Sequence, residues 1–128
     1  MILIVDDYAD MCRALQRLLN QSGYEALCAF SAEEAQRLLR DFRPNVIVMD
    51  DAMPEKSGLD LLREIKSDPK LAEIPVVVFS ANNDPVRMSR AREIGATAWL
   101  VKANTSWLDL AGIVRDLHAQ NAGAMNHN

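Results

Sequence analysis

"PNVIVMDDAMPEKSGLDLL", residues 44–62, runs from an oily stretch through two adjacent aspartates into an amphipathic segment. Residues 45–49 are almost purely aliphatic, as a strand is when helices cover both faces of its sheet. After Pro54 and Gly58 the apolar positions Leu59, Leu62 and Ile65 recur at helical spacing. A buried strand that ends in acid and leads into a helix is half of a strand-crossover-strand unit. Periodicity does not separate Asp50 from Asp51, because neither face of such a strand is marked by polar residues.

The same alternation extends outward in both directions. Strands are expected over residues 2–5, 24–30, 45–49, 75–79 and 97–101. Met11, Leu15, Leu18 and Leu19 mark a first helix, and Ala35, Leu38, Leu39 and Phe42 a second. Ser31 with Glu34 three residues on has the form of a capping box at the second helix. Asp68-Pro69 ends the third helix. Asp84-Pro85 reads as N-cap and first residue of a fourth, which carries Met88, Ala91 and Ile94 and which Gly95 terminates in a left-handed conformation. The fifth carries Leu110, Ile113, Val114 and Leu117. Five such units predict an α/β fold, a three-layer α/β/α sandwich around a parallel five-stranded sheet, (βα)5. The expected domain covers residues 1–120, with a disordered tail over 121–128, where periodicity is lost.

At 128 residues the chain fits one core, with no room for a second domain. Its apolar runs are far shorter than the roughly 20 residues of a membrane span. The opening MILIVDD lacks the basic start and cleavage site of a secretory signal, which points to a cytoplasmic protein. Cys12 and Cys28 have no CxxC spacing and sit among apolar residues, so reduced, buried thiols are expected. A formal charge of -4 and scattered Lys and Arg give no basic stripe for a phosphate backbone, so direct nucleic-acid binding is not expected.

In an open parallel sheet, function gathers beyond the carboxyl ends of the strands. Asp6-Asp7 follow the first strand, Asp50-Asp51 the third, Ser80 the fourth and Lys102 the fifth. The second ends in the uncharged Phe30-Ser31, as suits an edge strand. Clustered carboxylates repel, and a hard divalent cation relieves them; oxygen donors with no His or Cys favour Mg²⁺ over zinc. Lys102 and Ser80 could serve phosphoryl oxygens, and a carboxylate the attack. Singly, each has a plainer use: Asp7, Asp51 and Ser80 as caps of the following turn, Lys102 as a solvated surface residue. Their coincidence at four strand ends favours phosphoryl chemistry.

These residues resemble the receiver domain of bacterial two-component response regulators. "ILIVDD" is similar to the family's first strand and acidic pair, "PNVIVMDDAMPEKSGLDLL" to its acceptor strand and loop, "IPVVVFSA" to its hydroxyl strand and "GATAWLVKA" to its lysine strand. The resemblance implies the flavodoxin-like strand order 2-1-3-4-5. It also implies an acceptor four residues before a proline and eight before a glycine, and Pro54 and Gly58 both count back to Asp50. Asp7 is then the direct Mg²⁺ ligand with Asp50, Asp6 acts mainly through water, and the backbone carbonyl of Ala52 completes the protein ligands; Mn²⁺ could substitute. Ser80 and Trp99 take the switch positions and Lys102 that of the conserved-role lysine. Asp51 is left as a solvated or loop-capping bystander, and Trp107 as a packing residue.

The implied function is a signalling switch rather than a metabolic enzyme, one that catalyses its own phosphorylation and dephosphorylation. Asp50 would take a phosphoryl group from a histidine kinase or histidine phosphotransfer protein. The face made by the fourth helix, fifth strand and fifth helix would then meet an effector, with a homodimer as one outcome. Two positions would set the lifetime of the phosphoryl group: Ala52, too small to shield it, and Asn82, which could hold a water. The family's usual Lys-Pro is Lys102-Ala103 here, and a trans bond is expected, since a cis non-proline bond costs about 3 kcal/mol. The alternatives are a degenerate receiver that binds without phosphorylation, and an aspartate-nucleophile phosphatase of the haloacid-dehalogenase type. The second wants an acid two residues past its nucleophile, where Ala52 stands.

Overall fold

The structure, a computed structural model, describes residues 1–125. It alternates β1 (Ile2–Val5), α1 (Ala9–Gln21), β2 (Ala26–Ala29), α2 (Ala32–Asp41), β3 (Val46–Met49), α3 (Gly58–Ser67), β4 (Val76–Ser80), α4 (Pro85–Ile94), β5 (Ala98–Val101) and α5 (Trp107–Met125). All strands are parallel, in the order β2-β1-β3-β4-β5. This is the expected three-layer sandwich and strand order.

Strand alternation builds two cores. Leu3, Val5, Ile47, Met49, Val76 and Val78 face one side, where Ala35 of α2, Leu62 and Ile65 of α3 and Ala91 of α4 meet them. Ile2, Ile4, Val46, Val48, Val77 and Phe79 face the other, against Cys12, Leu15 and Leu19 of α1 and Leu110 and Val114 of α5. The central strands are buried throughout, whereas β5 at the edge is half-buried along its length. This parity has a consequence at the end of β3. Asp50 continues the series of Val46 and Val48, toward α1 and α5, and Asp51 continues that of Ile47 and Met49, toward α3 and α4.

Local chemistry sets the helix ends. Asp84 accepts from the Val86 N–H with Pro85 in the first turn, and Gly95 ends α4 at φ 129°, both as expected. At α2 the Ser31 hydroxyl accepts from the Glu34 N–H, but the Glu34 carboxylate accepts from the Phe30 N–H rather than closing a box onto Ser31. A reciprocal box stands instead at α3, between Ser57 and Asp60, which lacks the expected Glu or Gln signature. β4 runs one residue further than expected, because Ser80 pairs with Val101. β2 is shorter than residues 24–30.

The segment expected to be a tail is helical as far as Met125, and its residues 126–128 lie outside those described. Residues 121–125 hold no proline to bar a helix, and Asn121 meets Asn45 by a side-chain hydrogen bond of 3.5 Å. Loss of apolar periodicity marks where a helix leaves the core, not where it ends. Cys12 is buried and Cys28 only half-buried; both are free thiols. Among the described residues no helix is long and apolar enough to cross a membrane.

Candidate functional site

Parallel strands end at one edge, so β1, β3, β4 and β5 deliver Asp6, Asp50, Ser80 and Lys102 to a single cleft. Asp50 is fixed by its own N–H on the Val5 carbonyl at 2.9 Å, which ties the end of β3 to that of β1. It is 8 % exposed, and Asp6 and Ser80 are buried. Lys102 Nζ stands 3.3 Å from Asp6 Oδ2 and 3.6 Å from Asp50 Oδ2, with the ring of Phe79 beneath it at 5.6 Å. Asp6 Oδ1 also accepts from the Tyr8 N–H at 2.9 Å, and Asp50 Oδ1 from the Ala52 N–H at 3.4 Å.

Burial is the main influence on Asp50 and pushes its carboxyl above the usual range. Lys102 opposes that shift, Asp6 adds to it, and the Ala52 N–H and Ser80 hydroxyl work against it. Asp6, Asp7 and Asp50 can each offer one oxygen, all within 4.8 Å of one another. Three carboxylates against the single ammonium of Lys102 leave excess negative charge at a set of hard oxygen donors. That donor set fits a small divalent cation such as Mg²⁺. Asp7 is exposed, so the cation position opens toward solvent.

Ser80 and Trp99, the expected switch positions, are tied to the loop between β4 and α4. The Ser80 hydroxyl accepts from the Asn82 N–H at 3.1 Å, and the half-buried Trp99 donates from Nε1 to the Asn82 carbonyl at 2.9 Å. The Asn82 side-chain oxygen accepts from the Asp84 N–H at 2.8 Å, which ties this side chain to the start of α4. Among the described residues no peptide bond is cis. The Lys102–Ala103 bond is therefore trans, as expected for a Lys-Ala step, and Lys102–Asn104 form a single 3-10 turn.

Two expectations are corrected. Trp107 is 37 % exposed rather than packed, beside the exposed Leu108. Asp51 does face away from the cleft, as expected, but it is neither solvated nor a cap. It is 3 % exposed and held by both Arg87 Nε (2.7 Å) and Arg87 Nη2 (2.8 Å) of α4. Its partner was hidden in the sequence among scattered basic residues. Only strand parity hints that Asp51 points toward α3 and α4, and parity cannot be assigned to a strand covered on both faces.

Over residues 2–108 the chain matches the response regulator receiver domain. It is 38 % identical to the two-component response regulator ORR3 of Oryza sativa subsp. indica over 79 % of this chain and 78 % of that protein. It is 34 % identical to the polar-differentiation response regulator DivK of Brucella anthropi, over 79 % of this chain and 82 % of the other. Among solved structures, the signal receiver domain of a histidine kinase from Syntrophus aciditrophicus superposes with a TM-score of 0.84 at 34 % identity, covering 93 % of this chain and 89 % of that one.

Proposed function

Because the chain belongs to the response regulator receiver domain family, we propose that it is a phosphorylation-dependent switch whose acceptor is Asp50. The observation that carries this reading is one nearly buried carboxylate, Asp50, set beside both Lys102 and the acidic pair at the carboxyl edge of the sheet. The donor is a phosphohistidine on a histidine kinase or a histidine phosphotransfer protein. An Asp50 oxygen attacks phosphorus, the P–N bond breaks, and the imidazole nitrogen leaves with its electron pair and takes a proton. Lys102, already 3.6 Å from Asp50, turns part of its charge to the arriving oxygens. Asp7 and Asp50 directly, Asp6 through water and the Ala52 carbonyl would hold Mg²⁺, for which Mn²⁺ can stand in, and the cation would supply neutralising charge to the phosphoryl oxygens.

Ser80 then donates its hydroxyl to the phosphoryl group, and its turn toward that group draws Oγ from the Asn82 N–H it accepts from, which frees the loop that carries Asn82. Trp99 hangs on the same loop, so its rotation follows. The changed face of α4, β5 and α5 is where an effector protein in the cytoplasm binds, or a second phosphorylated copy.

Incubation with acetyl phosphate and Mg²⁺, followed by intact mass, tests the assignment. The wild type should gain one phosphoryl group, Asp50→Asn none, and Asp51→Asn should still be labelled. Labelling of Asp50→Asn, or its loss in Asp51→Asn alone, would overturn it, and labelling undiminished by EDTA would remove the cation.

A further inference from the structure

Asp51 has no part in that chemistry, yet its carboxylate is among the most enclosed charges of the described residues. One guanidinium satisfies both of its oxygens, in the planar two-bond geometry that distinguishes Arg from Lys. The Asp51 carbonyl accepts from Gly58 N–H at 2.9 Å and from Met53 N–H at 3.1 Å. The residue next to the acceptor is therefore gripped by α3 through its backbone and by α4 through its side chain.

A second path joins the same two places. From Ser80, hydrogen bonds run to Asn82, from the Asn82 side chain to Asp84, and from the Asp84 side chain to Val86 at the start of α4. Arg87 is the next residue, and it returns to Asp51, which is bonded covalently to Asp50. The path thus links both ends of the catalytic cleft through α4. Displacing the loop at Ser80 pulls on α4, and α4 cannot leave without drawing Arg87 from a carboxylate that has almost no access to water.

We propose that Asp51 and Arg87 are positioning residues whose ion pair latches α4 to the acceptor loop and sets how far phosphorylation of Asp50 must work to move it. The inference rests on the acceptor reading above. A buried carboxylate deprived of its partner is costly. Arg87 itself is partly exposed, which moderates the penalty. The released arrangement should be disfavoured by about tenfold to a hundredfold relative to a chain without the latch.

The test begins in the unphosphorylated, metal-free protein with amide hydrogen exchange, comparing wild type, Arg87→Gln, Asp51→Asn and the double variant. Exchange in α4 should quicken about tenfold in each, with the double variant no worse than the singles and β1 and β3 unchanged. Acetyl phosphate should also label the Asp51→Asn/Arg87→Gln protein several-fold faster, because less of its α4 must be freed. Arg87→Lys keeps the charge but not the two-bond geometry; it should lie between, and it carries the test should Arg87→Gln not fold. Equal acceleration in every element, with an unchanged labelling rate, would make the pair merely structural and overturn the latch. A wild type that takes no phosphoryl group would instead overturn the acceptor reading, and the α4 exchange would still be measured.

Discussion

Gly58→Ala should damage both the stability and the chemistry of this domain. A Cβ built at Gly58 would stand 2.4 Å from the Asp50 carbonyl oxygen, 2.8 Å from Asp51 Cα and 3.1 Å from the Asp50 carbonyl carbon. All three atoms are backbone, so no side chain can swing aside. Restoring an ordinary carbon-oxygen separation requires a shift of about 1 Å between α3 and the acceptor peptide. Overpacking of this kind costs about 1–3 kcal/mol, and the helix preference of Ala over Gly returns at most about 1 kcal/mol at a first-turn position. A net loss of about 1–2 kcal/mol should lower Tm by about 4–8 °C at this chain length. Gly112→Ala is the control: its Cβ would meet only Arg115 Nη2 at 3.7 Å inside α5, so a gain of about 0.5–1 kcal/mol is expected. Thermal melts of the three proteins and acetyl phosphate labelling of the same samples are the assays. Displacing the Asp50 carbonyl by about 1 Å should slow labelling by up to about 100-fold. Gly58→Ala melting at or above wild type with normal labelling would refute the close-approach argument.

Asp50→Asn should stabilise the metal-free protein at neutral pH. Burial raises the folded pKa of Asp50 above its unfolded value, so the folded state holds the proton more tightly; the group's contribution to stability is most favourable at acidic pH and falls as pH rises through the folded pKa. Paired melts in EDTA should show the gain of Asp50→Asn shrinking to nothing as pH falls to about 4 or below, and a constant gain across that range would count against it. Replacing the small, exposed Ala52 by Arg should lengthen the phosphorylated lifetime by covering the phosphoryl group from water. Decay of the labelled mass after donor removal measures this, and an equal decay rate would show that water arrives by another path.

Much of this fold is local and therefore legible. The aliphatic runs that become β1, β3 and β4 fill both cores, and the Asp84-Pro85 start and Gly95 stop of α4 rest on backbone chemistry within a turn. The site was legible for a topological reason, since residues that follow parallel strands must share one edge wherever the helices lie. The Gly58 spacing acquired its physical cause only in three dimensions, as the one residue type that lets α3 approach the Asp50 carbonyl so closely.

By itself the sequence determined the elements, their parallel arrangement and the convergence of Asp6, Asp7, Asp50, Ser80 and Lys102, because strand and helix periods and turn residues act over a few positions. The tertiary structure alone decided what the second acid of the pair, Asp51, is bound to. A strand buried on both sides carries no polar mark of its facing, so the side chain of Asp51 acquires a meaning only when α4 docks and brings Arg87 within 2.7 Å of it. Asp50 faces Lys102 in the cleft and Asp51 faces Arg87 behind it, and that difference comes from pairing, which depends on elements far apart in the chain.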